Sequence, residues 1–309
     1  MNPELRIGIS GWNYTPWRGG FYPDGLIQKR ELDYASRQVN SIEINGTFYS
    51  LQRPQSFRHW HDATPDDFVF SIKGNRFLTH ITRLENPKTP LANFFASGLL
   101  CLGKKLGPIL WQLPPTFRYD RHRLEAFFKL LPRTTEQAAQ LAHDHDEKLT
   151  GRSVLTAETD QPIRHALEVR HKTFEHEEFI TLLRDHNVAV VVADTAGKWP
   201  VIEDVTSDFI YLRLHGDGEL YVSGYTEPAL DEWARKIHRW REGGTPQGTR
   251  RFGPPAPIAK AGRAVYAYFD NDVKTHAPFD AISLGGRFGL APQPFDPAMI
   301  KPTKKSPAA

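Results

Sequence analysis

Cysteine is almost missing from this chain: its 309 residues contain one, Cys101. That excludes an internal disulfide framework and any zinc or iron–sulfur site built on several thiolates. Long apolar runs are missing too. No stretch approaches the roughly 18 residues of a membrane-spanning helix, and the opening residues Met1–Arg6 enter a strand pattern without an apolar signal-peptide core. A reduced, soluble, cytoplasmic setting without membrane partners is expected. Acidic residues are missing from two segments. One is 301–309, with Lys301, Lys304 and Lys305; the other is 243–263, with Arg250, Arg251, Lys260 and Arg263. Taking the three tail lysines from the 39 basic residues leaves 36 against 36 acidic, and removing the second segment as well leaves 32 against 36. The net charge of +3 therefore belongs to two flexible-looking pieces and not to a folded face. No GxGxxG follows an early strand and no GxSxG is found, so neither a dinucleotide fold nor a nucleophile elbow is indicated.

What is present is a regular alternation. Hydrophobic residues make up 39% of the chain and aromatics 12%, enough for a large core. Short apolar runs read as strands at Arg6–Ser10, Ser41–Asn45, Phe68–Lys73, Pro108–Leu113, Ala166–Arg170, Val188–Asp194, Phe209–His215 and Val265–Asp270. Amphipathic stretches between them read as helices, among them Ile27–Gln38, Gln55–His61, Leu91–Lys104, Arg121–Leu130, Glu175–Asp185 and Glu227–Arg241. Eight such units predict an α/β fold, a TIM-like (β/α)8 barrel of parallel strands, with a doubly wound sheet as the alternative. One barrel domain over 1–300 and a flexible basic tail over 301–309 are expected. Two connections are enlarged: 114–165 after strand four, with a second helix near Thr135–Leu149, and 216–264 after strand seven, holding the acid-free loop. His143-Asp144-His145-Asp146 looks like a metal tract but reads as the solvated face of that second helix.

Period-2 alternation indicates where chemistry sits. Glu43 and Asn45 share a strand face opposite Ile42 and Ile44; Ser71 and Lys73 do so opposite Phe70 and Ile72; Glu168 and Arg170 opposite Leu167 and Val169. Gln112 and Asp194 close strands four and six, and Tyr211, Arg213 and His215 share a face of strand seven. With apolar faces turned to the helices, these polar groups converge on the C-terminal mouth, where barrel active sites form. Paired charges that merely fix the barrel top are the competing interpretation for any single residue. Lys73, Arg170, Arg213 and His215 suit an anion; Glu43, Glu168, His215, Asp194 and Asp272 suit acid–base catalysis. No cofactor is predicted. A divalent metal on Glu43, Glu168, Asp194 and His215 is the weaker reading, because the cations compete with it. Trp12, Tyr14, Trp17, Phe48, Tyr49, Tyr221 and Tyr225 follow strands and suit either ring stacking or a lid.

Ordered motifs then add a resemblance. Ile7–Tyr14 resembles the G-x-S-G-W-x-Y opening of the YecE-like family (domain of unknown function 72), and Ile42–Tyr49 its E-x-N-x-T-F-Y motif. Phe70–Lys73, Leu106–Pro115, Glu168–His171, Tyr211–Gly216 and Tyr266–Asn271 are similar to its later motifs in order. The resemblance implies a TIM-like barrel whose reaction is unassigned. The chain departs from the pattern at Asp270, where the family usually shows Asn, and at Lys172-Thr173-Phe174. The expected function is an enzyme doing acid–base chemistry, of hydrolase, lyase or isomerase type, on a small anionic, phosphate-bearing or nucleotide-like ligand. Trp12, Tyr14, Asn45, Tyr49, Lys73, Gln112, Arg170, His171, Arg213 and Asn271 would bind it. Two alternatives stand beside this: a nucleic-acid-binding protein using rim aromatics and the basic segments, and a non-catalytic interaction barrel.

Overall fold

The computed structural model describes residues 3–271 and 274–296; the expected basic tail at 301–309, and Asp272, lie outside the described residues. Eight strands close in chain order: β1 (Leu5–Ser10), β2 (Ser41–Ile44), β3 (Val69–Lys73), β4 (Leu106–Gln112), β5 (His165–Glu168), β6 (Val188–Asp194), β7 (Phe209–Leu214) and β8 (Ala264–Phe269). Every neighbouring pair is parallel, including β1 with β8. This is the expected (β/α)8 barrel.

Two cores follow from the alternation. Ile9, Ile42, Ile72, Trp111, Leu167, Val190, Leu212 and Phe269 face outward and pack with the helices. Leu110, Ala166, Ala189, Val191, Tyr211 and Tyr268 fill the inside of the barrel. On the outer face the Trp111 indole donates to His165 Nδ1 at 3.1 Å, so His165 Nε2 carries the proton and donates to the Pro132 carbonyl at 2.8 Å. Burial holds that imidazole down at about 3, hence neutral. Only glycine fits at 74, because a Cβ there would meet the Trp111 ring at 2.2 Å. Gly74→Ala is expected to cost about 2 kcal/mol, by overpacking, in urea unfolding.

The helices are α1 (Glu31–Gln38), α2 (Gly46–Tyr49), α3 (Pro54–Asp62), α4 (Lys88–Ala96), α5 (Arg121–Leu130), α6 (Thr135–Ala142), α7 (Glu177–Asp185), α8 (Glu227–Arg241) and α9 (His276–Gly286). Two of the expected helices need correction. The helix read over Leu91–Lys104 is α4 plus a separate 3-10 stretch, Leu99–Lys105, split at Gly98, whose φ of +120° breaks the helix. The helix read over Thr135–Leu149 stops at Ala142, so His143–Asp146 lie in a turn, where Asp144 pairs with Lys88 and Asp146 caps the next short turn. The α6 segment packs on α4, and Val154 bonds the Ala96 carbonyl, so this enlargement after β4 thickens the outer layer.

The acid-free loop 243–263 is not a loose arm. It leaves α8 and returns to β8 at the N-terminal rim, beside Pro3 and Glu4. Arg263 is buried and donates to the carbonyls of Gly243, Gly244 and Pro257. Glu203 accepts from Arg250 N, and Asp204 from Phe252 N and Gly253 N. The connection from β6 to β7 contains no helix, and Gly253 comes so close to Ile180 of α7 that a Cβ would sit 2.6 Å away. The loop thus covers a flank left bare by the β6–β7 connection.

Candidate functional site

Arg213 of β7 is the hub of the barrel top. Its side chain is fully buried and reaches three carboxylates. Nε and Nη2 donate to the two oxygens of Glu43 at 3.2 and 2.9 Å, Nη1 donates to Glu168 at 2.8 Å, and Nη2 donates also to Asp270 at 2.7 Å. Glu43 further accepts from Ser10 Oγ at 3.0 Å and Tyr211 OH at 2.7 Å. Arg170 donates to the other oxygen of Glu168 at 2.7 Å, with its guanidinium 3.8 Å from the Trp199 ring centre. Burial alone would raise Glu168, but Arg170 and Arg213 outweigh it and hold the carboxyl far below the usual range. Asp270 is held down likewise, against its burial, by Arg213 and then His215.

Above this layer opens a cavity of about 500 Å³. Its walls come from the C-terminal ends of seven strands and the loops after them: Tyr14, Asn45, Phe48, Tyr49, Lys73, Arg76, His80, Ile81, Gln112, Arg170, Tyr221 and Asp270. The side-chain ammonium of Lys73, at the last position of β3, forms no hydrogen bond or ion pair among the described residues; its Nζ lies 4.6 Å from the Phe48 ring centre. Burial first, and Arg213 second, pull its ammonium down to about 8. Asn45 Oδ1 and Gln112 Oε1 are buried without a partner among the described residues, a state that costs about 1–3 kcal/mol per group unless something binds there. His80, bonded through Nδ1 to Thr79 Oγ1 at 2.9 Å, is lowered to about 4 by burial and then by Lys73 and Arg170. Tyr221 takes φ of +65°, a left-handed conformation unusual for tyrosine, and its N–H donates to the His215 carbonyl.

Of the expected ligand-binding residues, Tyr14, Asn45, Tyr49, Lys73, Gln112 and Arg170 line this cavity. The others stand elsewhere. Trp12 packs edge-on against Trp60 at 5.6 Å. His171 caps the turn Lys172–Phe174, accepting from Thr173 N at 3.1 Å. Asn271 ties Asp280 of α9 to the Ser223 carbonyl. Arg213 spends its guanidinium on carboxylates and presents none of it to the cavity. Among the expected catalytic groups, Glu43 and Glu168 are sealed beneath the cavity with their oxygens engaged. Asp194 accepts from Tyr225 OH at 2.9 Å. His215 is fully buried, with Nδ1 at 3.2 Å from Asp270 Oδ2, and neither ring nitrogen makes a hydrogen bond among the described residues. The alternative metal set is therefore divided between Arg213 and Tyr225, and among the described residues no three His, Cys, Asp or Glu side chains group to hold an ion.

Sequence reading missed His80 and Arg76. They sit in and before a π-helical turn, Phe77–Ile81, where neither a 2-residue nor a 3.6-residue period applies. Their signal is position alone, in the loop directly after β3.

A closed parallel barrel with a charged, half-enclosed mouth is a TIM-type α/β barrel, with its site at the usual C-terminal end. The family profile described as Protein of unknown function DUF72 matches residues 6–306, and the chain belongs to that family. UPF0759 protein YecE of Escherichia coli (strain K12) is 23% identical over 283 residues, spanning 90% of this chain and 96% of that protein. UPF0759 protein YunF of Bacillus subtilis (strain 168) is 27% identical over 118 residues, 37% of this chain and 41% of that protein. A solved DUF72 family protein from Thermotoga maritima has a TM-score of 0.67 at 22% identity, covering 93% of this chain and 99% of that one. Another from Enterococcus faecalis has 0.65 at 13% identity, covering 94% and 100%. Likeness at such identity shows the shared barrel. No helix among the described residues is long and apolar enough to cross a membrane.

Proposed function

We propose that the protein is an enzyme acting on a small anionic molecule held in the 500 Å³ cavity. The observation that carries this is the pairing of unspent groups there. Lys73 and Arg76 have no carboxylate partner among the described residues, and the buried amide oxygens of Asn45 and Gln112 accept nothing. Cations without counter-ions suit a carboxylate or phosphate; amide oxygens suit its hydroxyl or amine donors. Glu43 and Glu168 act in this reading as positioning residues, and proton transfer falls to groups at the cavity surface: Lys73, His80 and Tyr221.

A larger hollow of about 610 Å³ near Arg133, Arg164 and Asp208 lies at the opposite, N-terminal end, where barrels do not place catalysis. The nucleic-acid alternative loses support because basic groups of the acid-free loop are engaged within the fold. Its Arg263 is buried and its Arg250 pairs with Glu175 at 2.8 Å.

Thermal unfolding at constant ionic strength tests the reading. Inorganic phosphate and small mono- and dicarboxylates are expected to raise Tm saturably, by a few degrees at about 100 times Kd, and the double change Lys73→Met with Arg76→Gln to abolish the rise. A Tm that responds to none of these anions beyond chloride overturns it.

A further inference from the structure

We propose that Lys73 is a nucleophilic amine that condenses with the carbonyl carbon of an anionic aldehyde or ketone, so that the ligand of this cavity bears a C=O beside its carboxylate or phosphate. The inference rests on the anion-binding reading above and names the substrate class for that site.

An amine attacks a carbonyl only with its lone pair free, in reach of the ligand, and without a carboxylate holding it as ammonium. Lys73 meets these conditions by placement. It ends β3 on the inward face, with its Nζ against the Phe48 ring and no acid bonded to it. Glu43, Glu168 and Asp270 all lie close enough to act on it electrostatically, yet each of them is bonded to Arg213. The hub thus withholds three acids from the lysine while adding a like charge to its surroundings. Burial and that neighbouring cation bring its amine to about 8, so about a tenth is unprotonated at pH 7 and about half at pH 8, far more than for an ordinary lysine.

The step balances without an oxidant or reductant. The Nζ lone pair forms the C–N bond as the carbonyl π pair moves to oxygen; that oxygen gains a proton and the nitrogen loses one. The carbinolamine then expels its hydroxyl as water, taking one further proton, and a protonated C=N remains. His80, neutral at working pH, and the Tyr221 hydroxyl, kept protonated by burial, line the cavity to pass these protons. Arg76, on the same wall, carries no counter-ion among the described residues and suits the ligand's anionic end.

Reductive trapping of the full chain tests this. Glyoxylate, or neutral acetaldehyde as a control, is added with cyanoborohydride at pH 8, and each lysine is followed by peptide mass spectrometry. With glyoxylate, Lys73 is expected to gain a carboxymethyl group on the order of tenfold faster than exposed Lys29 and Lys260. Phosphate should slow Lys73 alone, and Arg76→Gln should shrink its lead with glyoxylate but not with acetaldehyde. Lys73 reacting no faster than Lys29 with either reagent overturns the proposal; if phosphate still raises Tm, the anion-binding reading survives that failure. A lead that is equal for both reagents and indifferent to phosphate overturns the anionic substrate class and the reading beneath it.

Discussion

Replacing Arg213 by methionine is expected to cost about 3–5 kcal/mol, the usual penalty for removing one partner of a buried ionic network. That is a large fraction of the roughly 5–15 kcal/mol stability of an ordinary domain. The reason lies in what remains. Glu43, Glu168 and Asp270 each lose a guanidinium hydrogen bond, Glu43 loses two, and the first two stay fully buried. Three carboxylates cannot stay ionised together in that space, so the variant must protonate some of them or open the barrel mouth. Adding Glu43→Gln, Glu168→Gln and Asp270→Asn to Arg213→Met should recover part of the loss, since amides in those places carry no charge to strand. Urea unfolding of the single and combined variants measures this. A single-variant loss below about 1 kcal/mol would show the network to be dispensable.

The second large effect is an acid limb in two stages. His165 and His80 sit at about 3 and about 4 when folded, against roughly 6.5 unfolded. Between those values the unfolded chain binds more protons, so stability is complete above about pH 6.5 and falls as the pH drops. Its slope there approaches about 1.4 kcal/mol per pH unit for the fully buried His165, with a smaller, solvent-screened share from the half-buried His80. Below about pH 4.5 Glu168 joins, followed by Asp270. Both are held low in the folded state, their own burial notwithstanding, by Arg170 and Arg213 for Glu168 and by Arg213 and His215 for Asp270. Their stabilisation is present above the unfolded carboxylate values and drains away as the pH falls below them. Lys73 makes the alkaline side run the other way. Depressed to about 8, it binds fewer protons than an unfolded lysine up to about pH 10.5, so stability rises through that window. Lys73→Met should accordingly be the more stable chain at pH 7 and lose the advantage towards pH 10.5. Tm measured from pH 3 to 10.5 for both chains decides it; a flat profile from pH 6.5 to 4 would exclude the two neutral histidines.

The barrel was legible because eight strands carry period-2 patterns whose two faces differ in kind. Ser41–Ile44 buries Ile42 and Ile44 outward and sends Glu43 into the hub, as the alternation predicts. The site was legible only as far as a strand's face continues into it: Lys73, Gln112 and Arg170 lie on or just past a strand end and line the cavity. Position along the strand does not decide it, for Asp194 ends β6 as Lys73 ends β3, and Asn271 lies as far past β8 as Arg170 lies past β5. Asp194, His171 and Asn271 are turned by hydrogen bonds to Tyr225, Thr173 and Asp280, and no local pattern reports those partners. Nor does composition separate a guanidinium that meets ligand from one enclosed by carboxylates. Arg213 and Arg76 look alike in the sequence and play opposite parts in the fold. The acid-free loop misled for the same reason: its lack of acids is real, but the acids it needs are Glu203 and Asp204, contributed from the β6–β7 connection.

That borrowed cover has a meaning in time. A chain emerging from its N-terminus completes β6, α7 and β7 while residues 243–263 are still unmade. Until they arrive, Ile180 and the carboxylates of Glu203 and Asp204 face water on a side that a helix would ordinarily shield at once. The barrel's last seam, β8 against β1, waits for the same stretch of synthesis. Sheath and seam are thus finished together by the C-terminal part of the chain, which ties the barrel's closure to its most distant contacts in sequence.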